Sequence, residues 1–260
     1  MKQTFNLHTH TWRCGHAEGE DYEYIENAIE RGFQCLGFSE HIQYRVDNGK
    51  YNRIDYEDFI SYFKEINLLK EIYKEKITIL CGLEAAYVPE AMLDLLDLLP
   101  YCDFVLLGHH QGGLRDRKYA LSCTDEELEK YTEELEKGIF TGIYDIVAHP
   151  DFFMNKRSIW NEKCEECAYR ICNAAKKQNI PLELNIKGSY AKQGIVNDTI
   201  CVKYPYRNFW KIAAEVGNDV LYGIDAHSPS EIYRDTVFVE SIIHGLDLNM
   251  ITEWNNSRKS

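Results

Sequence analysis

The chain lacks any apolar run approaching the roughly 18–20 residues that cross a bilayer. Its opening stretch, Met1-Lys2-Gln3-Thr4-Phe5-Asn6-Leu7-His8, lacks the apolar core of a signal peptide. A cytoplasmic protein with no membrane partner is expected. Basic residues are in deficit, 29 Lys and Arg against 42 Asp and Glu, for a formal net charge of −13. A broadly basic surface is thereby excluded, and no nucleic-acid partner is expected; a local cationic pocket is still allowed. Prolines are few, 6 in 260 residues, and the 16 glycines are dispersed, so no linker, low-complexity block or repeat divides the chain. A single domain spanning 1–260 is expected. The nine cysteines are odd in number and scattered, which argues against a disulfide framework. Cys164 and Cys167 form a lone Cys-x-x-Cys pair inside a helical pattern, without the second pair that a structural zinc site needs.

What is present is an ordinary globular composition, 45% hydrophobic and 27% charged, with enough chain for a large core. Short apolar runs alternate with longer amphipathic ones. Strands are predicted at 4–8, 35–38, 77–83, 104–107, 144–148, 181–185 and 220–224. Helices are predicted at 22–31, 56–73, 90–99, 125–138, 161–178, 206–216 and 230–245. Thr124 and Glu127 form a capping box, and Ser228-Pro229-Ser230-Glu231 offers hydroxyl caps around a tolerated proline. The charged run in 125–138 reads as a solvated helix face. Seven strand–helix repeats imply an α/β fold with a parallel sheet covered by helices, open or closed.

The chemistry sits at the strand ends. In order they carry His8-Thr9-His10, Ser39-Glu40-His41, Gly82-Leu83-Glu84, Gly108-His109-His110, Ala148-His149-Pro150-Asp151, Glu183-Leu184-Asn185 and Asp225-Ala226-His227. Seven of the chain's nine histidines are among them. A closed (β/α) barrel gathers such ends on one rim, where an open sheet would spread them along an edge. His8 and His10, like Asp225 and His227, are two residues apart and share a face of an extended chain. Imidazole and carboxylate donors suit zinc, manganese or iron. Taken singly, each residue has a plainer reading. Glu84 could be a solvated carboxylate, Asp151 a turn cap, Glu40 a group that orients a ligand, and His244 a packing residue. Adjacent His109 and His110 point to opposite faces of a strand, so at most one points inward, and periodicity does not say which.

These motifs, together with Thr11-x-x-Cys14-Gly15-His16, Gly188 and Ser228, resemble the PHP (polymerase and histidinol phosphatase) superfamily in an ordered set from His8 to His227. The Cys14-Gly15-His16 form looks like the histidinol-phosphatase branch; many relatives acting on nucleotides carry Asp at the position of His16. The resemblance implies a distorted seven-stranded (β/α) barrel with three divalent metal ions, zinc, manganese or iron. By similarity His8, His10, Glu84 and Asp225 hold the first, and Glu84 bridges to a second held also by His110 and His149. His16, His41 and His227 hold the third. The family ligand after the fourth strand follows an aspartate by seven residues, and Asp103 stands seven before His110, which selects His110 over His109. The implied reaction is hydrolysis of L-histidinol phosphate to L-histidinol and phosphate, a step of histidine biosynthesis, by a metal-activated hydroxide in a trinuclear site. Glu84, Asp225 and His227 are the implied catalytic residues. Lys156, Arg157, Asn185 and Lys187 are candidate substrate contacts, and Glu18 or Asp47 could meet a substrate amine. The alternative is a phosphoesterase of the same fold acting on nucleotides or other small phosphate monoesters. A barrel that binds metal without turnover should have lost ligands, and none is missing here. Oligomeric state is open at this level.

Overall fold

The computed structural model describes residues 3–45, 54–110 and 123–254. Asp47 lies outside them. The main sheet is parallel throughout and is built from β1 (Phe5–Asn6), β2 (Cys35–His41), β3 (Thr78–Ala85), β4 (Phe104–Gly108), β5 (Ile146–Ala148), β6 (Leu182–Asn185), β9 (Asp219–Gly223) and β10 (Asn249–Met250), in that spatial order. A separate hairpin pairs β7 (Gly194–Val196) with β8 (Thr199–Cys201). The helices are α1 (Asp21–Arg31), α2 (Phe59–Tyr73), α3 (Met92–Leu98), α4 (Asp125–Phe140), α5 (Glu162–Gln178), the single turn α6 (Ile186–Ser189), α7 (Arg207–Val216) and α8 (Val237–Ile243). Among the described residues no helix is long and apolar enough to cross a membrane.

Local chemistry sets the helix ends. Thr124 accepts from Glu127 N–H and Glu127 caps Thr124 N–H in return, so α4 begins where the capping box places it. The Asn161 side chain accepts the Cys164 N–H and starts α5, and Asn179 closes it in the left-handed conformation. Cys164 and Cys167 are free, buried core residues of α5.

The sheet curls. Just beyond the ladders, Thr9 forms a parallel bridge with Ala226, where His10 N–H donates to Ala226 O at 2.9 Å. The continuation of β1 therefore lies against that of β9, and the strand ends face a common space. Alternation then creates two cores. Phe5, Leu7, Phe104, Leu106, Ile146, Ala148 and Leu221 pack inside the curl beneath the strand ends. Phe38, Leu83, Val105, Leu107, Val147 and Leu184 face outward into a larger core shared with the helices.

Three expectations are corrected. The main sheet has eight strands, not seven. The eighth, β10, pairs with β9, and the chain just after it accepts Thr4 N–H on Thr252 O at 3.2 Å. Two residues carry no readable alternation, so β10 leaves no sequence signal. The predicted helix at 230–245 is broken: Pro229–Tyr233 is a short 3-10 turn, Arg234 is extended at ψ 128°, and only Val237–Ile243 is α-helical. Glu231 is held by the His227 N–H at 2.7 Å and by Arg234, which ties this turn to the strand end. His244 is exposed at the end of α8 and does not pack. The hairpin β7–β8 was legible but passed over: Asn197 and Asp198 at its turn both have positive φ, the requirement of a two-residue hairpin loop.

Candidate metal centre

Inward parity assigns most of the centre. On β4, Phe104, Leu106 and Gly108 face inward, so His110 follows them, while His109 follows Val105 and Leu107 outward. His109 Nε2 lies 2.6 Å from Glu134 of α4, against the Tyr131 ring. His110 Nε2 lies 3.6 Å from Glu84 Oε1. His41 and Glu84 share the inward register of β2 and β3, where they pair directly. Glu40 points the other way and accepts the Thr11 N–H, pinning the turn after His10.

Two residues, His149 and His8, reach the centre only because the backbone leaves β geometry. His149 would follow Val147 outward, but its φ of 31° turns it inward. Asp225 has φ 55°. Such values are costly outside glycine and concentrate at functional sites. Leu7 belongs to the inner core, so strict alternation would send His8 outward. The β1 ladder stops at Asn6 instead. The Asn6 side chain donates to His8 O and Thr9 Oγ1 and accepts Ile224 N–H, holding the departure in place. This is why the strand is shorter than the predicted 4–8.

Glu84 is the hub. Its Oε1 lies 2.8 Å from His149 Nε2; its Oε2 lies 2.8 Å from His41 Nδ1, 3.4 Å from His8 Nε2 and 3.5 Å from His10 Nε2. Asp225 Oδ1 lies 3.5 Å from His10 Nε2 and 3.7 Å from His8 Nε2. Donor trios His8–His10–Asp225, His8–Glu84–His149, His41–Glu84–His110 and His10–His41–His227 each converge within 4.8 Å. His16, exposed on the rim, meets His227 Nε2 to Nε2 at 2.9 Å. Burial would raise both carboxylates, but neighbouring imidazoles outweigh it. His110, His41 and His8 hold Glu84 well below the usual range, and His8 and Lys187 do the same for Asp225. Burial pushes His227 down to about 3 and keeps His10 low. Against burial, Glu183, Asp225 and Glu84 hold His8 well above the usual imidazole range, and Glu84 raises His149, so a divalent cation would take the place of protons held among anionic carboxylates. Glu84 Oε2 is moreover buried without a hydrogen bond of its own. The residues fit a metal.

The substrate candidates separate. Lys187 Nζ lies 2.7 Å from His227 Nδ1 and 3.4 Å from Asp225 Oδ1, with its side chain 35% exposed, so it stands in the centre. Asn185 donates to Glu183 and Asp225 and accepts Gly188 N–H, orienting Asp225 and starting α6. Lys156 is exposed and close enough to Lys203 that burial and this like charge together lower the Lys203 pKa. Arg157 has other work. Its buried guanidinium binds Cys123 O, Asp125 and Asn161, tying the start of α4 to that of α5. Glu18 is exposed beside the centre, its N–H on His227 O.

The PHP domain family matches residues 6–187. The chain belongs to the PHP family. Its relatives include proteins named "Probable histidinol-phosphatase" from Schizosaccharomyces pombe, 32% identical over 86% of this chain and 81% of that one, and from Deinococcus radiodurans, 24% identical over 86% of each. Among solved structures it resembles a histidinol phosphate phosphatase from Lactococcus lactis, solved with zinc, L-histidinol and phosphate. That likeness has a TM-score of 0.74, with 18% identity over 98% of both chains. A second, from Listeria monocytogenes, gives 0.73 with 20% identity over 90% of this chain and 98% of the other. The chain is a phosphatase, a metal-binding hydrolase of the PHP type.

Around the centre stand residues to which the motifs assign no such role. Glu183 Oε2 lies 2.6 Å from His8 Nδ1 and so aims Nε2 of that imidazole at the centre. Alternation marks Glu183 as inward once Leu182 and Leu184 are known to be outward. Phe152 and Tyr204 wall the His110–His149 side, with Phe152 5.0 Å from the His110 ring and 5.2 Å from Tyr204. Asp151 is no simple turn cap. Wholly buried, it accepts the Tyr206 N–H and the Trp210 indole N–H, fixing the turn after His149 to α7. Asp151→Ala strands both donors, and a loss of about 2–4 kcal/mol is expected in urea unfolding. An unchanged midpoint would remove Asp151 from this role. His110→Ala should lower kcat/KM by about 10²-fold or more, whereas His109→Ala should stay within a few-fold of the unmutated enzyme in phosphate release. The reverse order would show that the wrong histidine faces the centre.

Proposed function

We propose that this PHP phosphatase hydrolyses L-histidinol phosphate to L-histidinol and inorganic phosphate with three divalent ions, as one domain acting in the cytoplasm. The observation that carries the reading is Glu84, whose two oxygens address separate donor sets. His8, His10, Glu84 and Asp225 would hold one ion, Glu84, His110 and His149 a second, and His16, His41 and His227 a third. Bound there, divalent ions would lower the pKa of a water to near neutrality and offset charge on the phosphate. The chain's residues supply the rest. Glu84 and Asp225 stay anionic and hold the imidazoles in register. Glu183 keeps His8 aimed. Lys187, cationic and open to the rim, is placed to neutralise a phosphate oxygen as charge develops on it. Lys156 is the next candidate for that anion, exposed after the His149 turn; Arg157 would serve only by leaving Asp125. Phe152 and Tyr204 offer an apolar wall for the organic part of the ester.

The named relatives favour histidinol phosphate within the phosphate monoesters. The test is phosphate release from L-histidinol phosphate, a nucleoside monophosphate and an aryl phosphate. Enzyme stripped by chelator and refilled with zinc or manganese should restore activity and prefer histidinol phosphate by at least about tenfold in kcat/KM. Restored activity that favours the nucleotide would discard the named substrate and keep the phosphatase.

A further inference from the structure

We propose that Cys14 is a sulfur ligand at the outer edge of the metal centre, completing a position with His16 and His227. The inference rests on the metal reading above and concerns a residue with no role in it. Thr11 caps the short turn Trp12–Cys14, and Gly15 ends it in the left-handed conformation at φ 76°, its N–H returning to Trp12 O at 3.0 Å. This turn sets Cys14 and His16 on one side. The sulfur, a nitrogen of His16 and a nitrogen of His227 lie within 4.8 Å of one another.

One further observation points to a ligand there. The His16 and His227 Nε2 atoms face each other at 2.9 Å, a convergence of two potential donors on the same space. Burial, helped by Glu40, pushes the free thiol up to about 12. The metal itself would have to remove the proton, as metals do from coordinating thiols. Cys164 and Cys167 are buried as well, but belong to none of the donor groups among the described residues. A sulfur donor would bias this position toward zinc or cobalt over manganese, while the oxygen- and nitrogen-rich positions around Glu84 would accept either.

The test is to strip the protein with chelator, refill it with cobalt(II) and record the near-ultraviolet spectrum. A sulfur-to-cobalt charge-transfer band is expected, absent from Cys14→Ser and retained in Cys167→Ser. In Cys14→Ser one equivalent of zinc should bind about 10–100-fold more weakly in chelator competition. X-ray absorption at the zinc edge reads the same bond in the unmutated protein, as a sulfur shell at about 2.3 Å. A nitrogen and oxygen shell alone, or a cobalt band that survives in Cys14→Ser, overturns the proposal. Failure to bind any metal overturns it together with the metal reading. Metal binding with a sulfur shell but no turnover of L-histidinol phosphate leaves it standing while the substrate falls.

Discussion

Glu84→Ala should lower kcat/KM for phosphate release by about 10³-fold or more, equivalent to about 4 kcal/mol of barrier, with the fold intact by circular dichroism. The size follows from position. One buried carboxylate stands within 3.6 Å of nitrogens on His8, His10, His41, His110 and His149. Removing it takes away a ligand from two donor sets at once, together with the negative charge that balances them. Metal content measured beside activity should fall in step. Glu84→Gln separates charge from shape: it keeps the volume and loses the anion, and should be nearly as inactive. Full activity with full metal content in Glu84→Ala would end the binuclear reading.

Gly108→Ala should be almost as damaging, although Gly108 touches no substrate and offers no donor. A Cβ on Gly108 would stand 2.0 Å from Glu84 Oε1 and 2.5 Å from its carboxyl carbon. The β3–β4 ladder pairs Glu84 with Leu106 and leaves the backbone no room to yield, so the carboxylate must swing away. A loss of about 10²-fold in kcat/KM is expected, with about 1–3 kcal/mol of stability lost to overpacking. Gly223→Ala makes a useful partner. Its Cβ would meet the Glu183 carboxyl carbon at 2.3 Å, and Glu183 acts on the centre only through His8. It should cost less activity than Gly108→Ala while still weakening metal retention. Near-normal activity in Gly108→Ala would show that Glu84 can function from another rotamer.

The alternation of strands and helices, the polar groups at seven strand ends and the family they resemble are all legible in the chain alone. These are local: a capping box such as Thr124–Glu127 needs only its own neighbours, and a period of two needs only a few residues. Tertiary structure decided which face is which. Periodicity separates His109 from His110 without saying which is inward; Phe104 and Leu106 in the inner core settle it. His8 and His149 break alternation, one through the Asn6 hydrogen bonds and the other through a positive φ, and no pattern in the chain announces a left-handed residue that is neither glycine nor at a tight turn. The eighth strand exists because the starts of β9 and β1 leave an edge for Asn249–Met250 to cover. Glu183 and Arg157 show the same limit from opposite sides. Glu183, read only as one of the polar groups at a strand end, aims His8, while Arg157, read as a substrate contact, binds Asp125. A side chain's partner is set by which elements pack together, and that is settled only once the sheet has curled.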